Sequence, residues 1–208
     1  PDPLGIRLVA QLAGATHAAP LYYFPDRTCL IAAVAAEGFR LLNGALEARR
    51  RQGCAGDFPS VVQDALNYVR WAGEQPALFS TMYDPSLAGD LELLQWARLD
   101  HASPLERFGD RHGGSGRAIA RRVESFEELL AAKEATLAFF AIGVASAIEG
   151  GDLRNDRPVE RVTYALTSMA DGLAWQRITE PQASAVLLDR HARDCLLLLL
   201  QGIAAKGD

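Results

Sequence analysis

Residues 6 to 30 read IRLVAQLAGATHAAPLYYFPDRTCL, and the order of small, apolar and helix-ending residues in this stretch decides the fold. Ile6, Val9 and Ala10 recur at helical spacing, and Leu12 and Ala13 close the stripe. The small side chain of Ala10 lets a second helix cross close by. Gly14 can take the left-handed conformation that ends a helix at no steric cost. Thr16 then stands where an N-cap belongs, offering its hydroxyl to the free amides of a second short helix. Pro25 and Asp26 repeat the punctuation, a break followed by a carboxylate cap on a long helix that begins near Arg27. Helix, glycine turn and helix in about twenty residues is the form of a helix-turn-helix, whose second helix enters the DNA major groove.

Outward from this stretch, 208 residues suffice for one large domain or two small ones with a buried core. About half of the chain is apolar; alanine and leucine dominate and β-branched residues are few, which favours helix. The net charge of −5 argues against a protein coated in basic patches. Residues 1–53 hold six arginines against four acids, a charge of +2 that leaves −7 on the remainder. A mildly basic head on an acidic body suits contact with DNA at one end; a two-charge excess is also within chance. Cys29, Cys54 and Cys195 stand far apart, with neither metal-ligand spacing nor an even-numbered disulfide framework, and a reduced, cytoplasmic setting is expected. No signal peptide is visible. The apolar run from Cys195 to Leu200 is much too short to span a bilayer, so no membrane partner is expected.

Periodicity predicts helices along the whole chain. Asp26 caps a helix reaching about residue 51, with Leu30, Val34, Leu41 and Leu42 on its apolar face. Arg49, Arg50 and Arg51 fall in its last turn, where cations favour the negative helix end; a second DNA contact is the alternative for this triplet. Helices follow over about 58–74, from Pro76, over 87–101 with Leu91, Leu94 and Trp96 inward, over 118–150 and over 158–179. A last one opens at Pro181 and ends before Gly202. Residues 102–116, ASPLERFGDRHGGSG, read as a loop with one turn of helix around Leu105 to Phe108. Its glycines lack the Lys-Ser/Thr of a phosphate-binding loop and no strand precedes them, so they read as a linker. Leu196 to Leu200 is apolar on every side and must be buried all round, which one chain can hardly do at its own terminus.

The wording of the opening stretch goes beyond its form. Val9-Ala10, Ala13-Gly14-Ala15-Thr16, Ala18-Ala19-Pro20, Phe24, Pro25-Asp26-Arg27 and Leu30 resemble the DNA-binding segment of the TetR family of bacterial transcriptional regulators, in the subgroup with Ala-Ala-Pro in the recognition helix. Two later stretches also resemble that subgroup's ligand domain: Tyr68-Val69-Arg70 on to Gln75-Pro76-Ala77-Leu78-Phe79, and Gly151-Asp152-Leu153-Arg154. Leu21 departs from the family's usual tyrosine, with Tyr22 and Tyr23 following it. Of the subgroup's Trp-x-x-x-His-Gly-Leu only Gly172 and Leu173 remain, after Thr167 and Asp171.

The resemblance implies an all-α protein. Residues 1–48 would form the helix-turn-helix region and connecting helix, and 49–208 a helical ligand-binding and dimerisation domain. The family's first helix should precede residue 6, and the chain beginning at Pro1 is expected to lack it. The expected function is a ligand-responsive repressor that binds a near-palindromic operator as a homodimer, without enzymatic activity, cofactor or metal. The alternative is a helical ligand-binding or protein-interaction dimer that has lost DNA binding.

Candidate residues follow from both readings. For DNA they are Arg7, Thr16, His17, Tyr22, Tyr23 and Arg27, with Thr16 and Arg27 on phosphates and His17 and Tyr22 toward base edges. For an apolar or aromatic effector they are Trp71, Phe79, Met82, Trp96, Phe126, Phe139, Met169 and Trp175, with Asp171 as a polar handle; each hydrophobic one can equally be plain core. For the dimer interface they are Leu187, Leu196, Leu197, Leu199 and Leu200. No nucleophile, base and orienter come together in the sequence pattern.

Overall fold

The computed structural model describes residues 10, 11, 14, 16, 19–52, 60–180 and 184–202. Among them the architecture is all-α and multi-helical, with no β-sheet. In chain order the helices are α1 (Ala19–Tyr23), α2 (Arg27–Arg51), α3 (Ser60–Glu74), α4 (Pro76–Met82), a single 3₁₀ turn (Pro85–Leu87), α5 (Ala88–Leu99), α6 (Pro104–His112), α7 (Gly116–Glu149), α8 (Val159–Thr179) and α9 (Ala185–Gln201). The sequence marks several ends directly. The Cys29 N–H donates to Asp26 Oδ1 at 2.9 Å, closing the first turn of α2. The Ser86 N–H donates to Asp84 Oδ1 at 2.9 Å, capping the 3₁₀ turn ahead of α5.

The described residues pack as two compact units that interleave in sequence, one drawing on Pro1–Phe39 and Ala77–Lys133, the other on Arg40–Pro76 and Glu134–Asp208. Residue 48, the expected domain boundary, falls inside α2. In the first unit Ile31, Phe39, Phe79, Leu87, Leu94, Phe108, Phe126 and Leu129 are fully buried. Phe79 lies 4.9 Å from the Tyr83 ring and Phe108 lies 6.2 Å from Phe126. Gly38 permits the crossing of α2 and α4, since a Cβ there would sit 2.6 Å from Met82 Cγ. In the second unit α3 packs along α8, with α9 lying on both. Its core includes Leu42, Leu46, Val61, Val62, Phe140, Val144 and Leu166.

Arg50 ties that second unit together. Its Nη2 donates to Asp64 Oδ2 at 2.5 Å and to the Phe139 carbonyl at 3.2 Å, and its guanidinium lies 3.5 Å from the centre of the Phe139 ring. Burial pushes the Asp64 carboxyl above its ordinary value, against the pull of Arg50. Arg49 similarly grips Glu74, at 3.0 Å, and the Asn67 carbonyl. Two members of the arginine triplet therefore hold the body together. Arg51 reaches toward Glu47, one turn back on its own helix, at 3.7 Å.

Three expectations are corrected by the packing. Trp96 was expected inward and is 52 % exposed; α5 turns Asp90, Leu94 and Ala97 inward instead, and at 100° per residue position 96 lies about 200° round from Leu94. Residues 104–112, expected mainly as loop, form a full helix: Pro104 occupies its first turn, Gly113 closes it at φ +62°, and Phe108 drops into the core. On α2 the inward stripe runs through Phe39, Leu42 and Leu46, leaving Leu41 exposed. Helices α2 and α7 are long and apolar enough to cross a membrane by length and composition, but 56 % and 44 % of those apolar windows are buried within the chain, where they serve packing.

Candidate functional site

In the opening stretch, Gly14 sits in the left-handed region at φ +64° and its N–H donates to the Gln11 carbonyl at 3.2 Å, so the chain turns where only glycine is unstrained. A Cβ there would meet nothing within 4 Å, so the requirement is for the backbone angle and not for space. Thr16 is exposed, and its carbonyl accepts from the Ala19 N–H at 3.0 Å to start α1. Tyr22 and Tyr23 are 57 % and 64 % exposed, with their rings edge to face at 5.2 Å. Arg7 and His17 lie outside the described residues.

Tyr22 is not free to point anywhere. Its Oη accepts from Arg117 Nη2 at 3.1 Å, and the guanidinium carbons of Arg117 and Arg121 lie 5.1 and 4.8 Å from its ring centre. The Arg117 hydrogen bond, then the charges of Arg117 and Arg121, pull the Tyr22 hydroxyl below its ordinary pKa. Together with Pro25, Ser115 and Ala118 these residues line a cleft of about 230 Å³. Arg27 is half-buried; Asp84 is held below the usual carboxylate range first by the Ser86 hydroxyl and, as the smallest contribution, by the charge of Arg27.

Beside the cleft lies a buried ionic network. Asp90 accepts from Arg122 Nε at 2.7 Å, Arg122 Nη2 stands 2.6 Å from the same carboxylate, and His112 Nε2 lies 2.7 Å from its other oxygen. Arg122 Nη1 also pairs with Asp26, the residue that caps α2. Burial works to raise the Asp26 carboxyl, but the Cys29 N–H and the Arg122 charge hold it net below the usual value. The same burial, with Asp26 alongside, pushes the Cys29 thiol up to about 12 and leaves it unreactive. The residue that caps α2 is thus tied by Arg122 of α7 to Asp90 of α5, which also meets His112 of α6. Arg117, Arg121, Arg122 and Asp90 were not among the residues singled out from sequence. They lie about 75 to 110 positions beyond Gly14, and only the spacing of Arg117 and Arg121 on one helix face is a signal for that pair.

The residues expected to line an effector pocket divide between the units. Phe79, Met82 and Phe126 are closed core of the first unit, and Trp96 is at its surface. In the second, Trp71 is buried, Met169 and Trp175 are half-buried, and Asp171 accepts a hydrogen bond from Tyr68 Oη. Phe139 lines a groove of about 470 Å³ with Glu47, Arg50, Arg51, Ala135, Ala138 and Ile142. The leucines of α9 also divide. Leu196 and Leu200, expected at a dimer interface, are buried within the chain itself, because α9 turns Ala192, Leu196 and Leu200 inward at helical spacing. Leu197 and Leu199 are half-buried, while Leu187 and Leu198 are 61 % and 68 % exposed. Among the described residues no group of three or more His, Cys, Asp or Glu is placed to hold a metal ion.

No protein-family model matches the chain, and no curated protein matches it. Among solved structures it is similar to a protein with unknown function from Rhodococcus sp. RHA1, with a TM-score of 0.64 and 21 % identity over 98 % of this chain and 86 % of that one. At that identity the likeness shows a shared helical fold and nothing of activity.

Proposed function

We propose that the chain is a TetR-like, DNA-binding transcriptional regulator that acts as a homodimer, with residues around Thr16 to Arg27 facing the operator and the helical body answering to an apolar or aromatic small molecule. The observation that supports this most is the left-handed turn at Gly14 followed by α1 with both tyrosines exposed. A short helix with two exposed tyrosines, opened by a glycine turn and followed by a capped long helix, suits insertion into a major groove. The body offers to an effector the Phe139 groove, lined by Ala135, Ala138 and Ile142 together with Glu47, Arg50 and Arg51. The exposed Leu187 and Leu198 offer a face to a second copy. Repression with release by ligand requires only that the effector prefer one of two arrangements of the body. The setting is the cytoplasm, and neither a membrane nor a cofactor enters the mechanism.

Two observations favour the alternative, a helical dimer that keeps the fold without binding DNA: the Tyr22 hydroxyl is engaged by Arg117, and Arg27 is half-buried near Asp84. A gel shift of the full chain with the DNA upstream of its own gene separates the two. Retardation that weakens in a Thr16→Ala, Tyr23→Ala variant supports the regulator; no retardation at low salt supports the alternative.

A further inference from the structure

We propose that the cleft between α1 and the start of α7 is a phosphate-binding site, with Arg117 and Arg121 as its charged ligands and Tyr22 Oη as a hydrogen-bonding partner. The inference rests on the proposed regulator in one respect only, that a DNA backbone is one of two sources of the phosphate. The other source is a free phosphorylated small molecule.

The contrast with the other arginines of the same unit carries the assignment. Arg107 holds Asp100 at 2.7 Å, Arg122 holds Asp90 and Asp26, and Arg111 lies 3.6 Å from Asp90. Among the described residues Arg117 and Arg121 have no ion-pair partner, and none of those lining their cleft is a carboxylate. Arg121 also lines a neighbouring depression together with Tyr23, Phe24, Glu124 and Glu128, but neither of those carboxylates is among the residues lining the cleft. Two guanidiniums are instead gathered around one aromatic ring whose hydroxyl is an acceptor for one of them. Two like charges gathered on one ring, in a cleft with no carboxylate among its described lining residues, create a positive potential that an anion relieves. Guanidinium forks match phosphate oxygens bidentately. The Tyr22 hydroxyl, which now accepts from Arg117, can turn its proton toward a phosphate oxygen while remaining the acceptor. The long helix α7 opens directly on the cleft, with Ser115 Oγ accepting from the Ala118 N–H at 3.3 Å, and its N-terminal partial charge adds to the same sign. The cleft lies beside the residues proposed to face DNA, so a phosphate of a bound duplex would extend the contact from α1 onto the body.

The test uses the full chain, the Arg117→Gln/Arg121→Gln variant, and Arg117→Gln alone as a change at an exposed position should the double variant unfold. Binding to a random-sequence duplex is followed by fluorescence anisotropy across a salt series, and thermal unfolding is recorded in inorganic phosphate and in chloride at matched ionic strength. If a DNA backbone supplies the phosphate, the slope of log K against log salt falls by about 2 in the double variant and about 1 in the single one. If a free phosphorylated molecule is the source, the slope is unchanged but inorganic phosphate raises the melting temperature of the parent chain and not of the variants. An unchanged slope together with an equal phosphate response in all three proteins overturns the site. A parent chain that binds no duplex removes the regulator, and the phosphate arm then decides the cleft by itself.

Discussion

Replacing Asp90 by alanine is expected to cost about 3 kcal/mol of stability. The Asp90 side chain is 4 % exposed and that of Arg122 11 %, so the pair is shielded from water. The substitution removes the contacts of one carboxylate with Arg122 and His112, at 2.6 to 2.7 Å. Breaking a buried ion pair from one side costs about 3 to 5 kcal/mol, because the remaining charge stays buried without compensation. The lower end applies here since Arg122 keeps Asp26. For a chain of this length that corresponds to a fall in melting temperature of roughly 6 to 12 °C. Chemical denaturation followed by circular dichroism measures the loss, and a double-mutant cycle with Arg122→Leu isolates the pair. The double Asp90→Leu, Arg122→Leu variant is expected to recover much of the stability, since apolar replacement of a buried pair is often neutral or better. A single-variant loss under about 1 kcal/mol, or a coupling energy under about 0.5 kcal/mol, would refute the idea that this network anchors the start of α2.

Arg50→Ala leaves the Asp64 carboxylate, 2 % exposed, without its guanidinium, and is expected to cost about 3 kcal/mol at neutral pH. That loss should shrink on acidification, since a protonated Asp64 needs no counter-charge; a pH-independent loss in urea titrations would contradict this. Asp26, held below its ordinary value, binds its proton less tightly folded than unfolded. Its stabilising contribution is present above about pH 4 and is lost as pH falls through the lower folded value. Asp26→Asn should therefore flatten the acid limb of a stability profile, and an unaltered limb would speak against the cap. Gly14→Ala is expected to cost about 1 kcal/mol through its left-handed backbone, and to weaken any DNA binding in a gel shift while leaving the melting of the body intact. Leu187→Glu with Leu198→Glu should convert a dimer to monomer in light scattering, and a parent chain that is already monomeric would remove the proposed interface.

How much of this was legible beforehand differs by residue, for physical reasons. Gly14, Pro25, Asp26 and Asp84 act on their immediate neighbours, through backbone conformation and caps within three residues, and such effects are written locally. The helix from Arg27 to Arg51 and the one near 158–179 were readable for the same reason, as was the break at Pro76. Periodicity also shows that a helix has an inward face, but it does not say which of two adjacent apolar residues points there. Phe39 rather than Leu41, and Leu94 rather than Trp96, went inward because of where neighbouring helices lie. Helix α6 reads in the sequence as only one turn around Leu105 to Phe108, because its buried stripe rests on Phe108 alone, which anchors a longer helix only once a core exists to receive it.

The sequence by itself determined an all-helical chain, local breaks and caps such as those at Gly14, Asp26, Pro76 and Asp84, and a mildly basic, aromatic opening stretch distinct from an acidic body. Tertiary structure alone decided which charges meet: that Arg122 joins Asp26 to Asp90, that Arg50 answers Asp64, and that Arg117 and Arg121 close on Tyr22 from some 95 residues away. It also decided that Leu196 and Leu200 are spent within the chain while Leu187 and Leu198 remain on the surface. Caps and turns depend on bonds between near neighbours, whereas ion pairs and packing depend on distances in space that only the folded arrangement of helices creates.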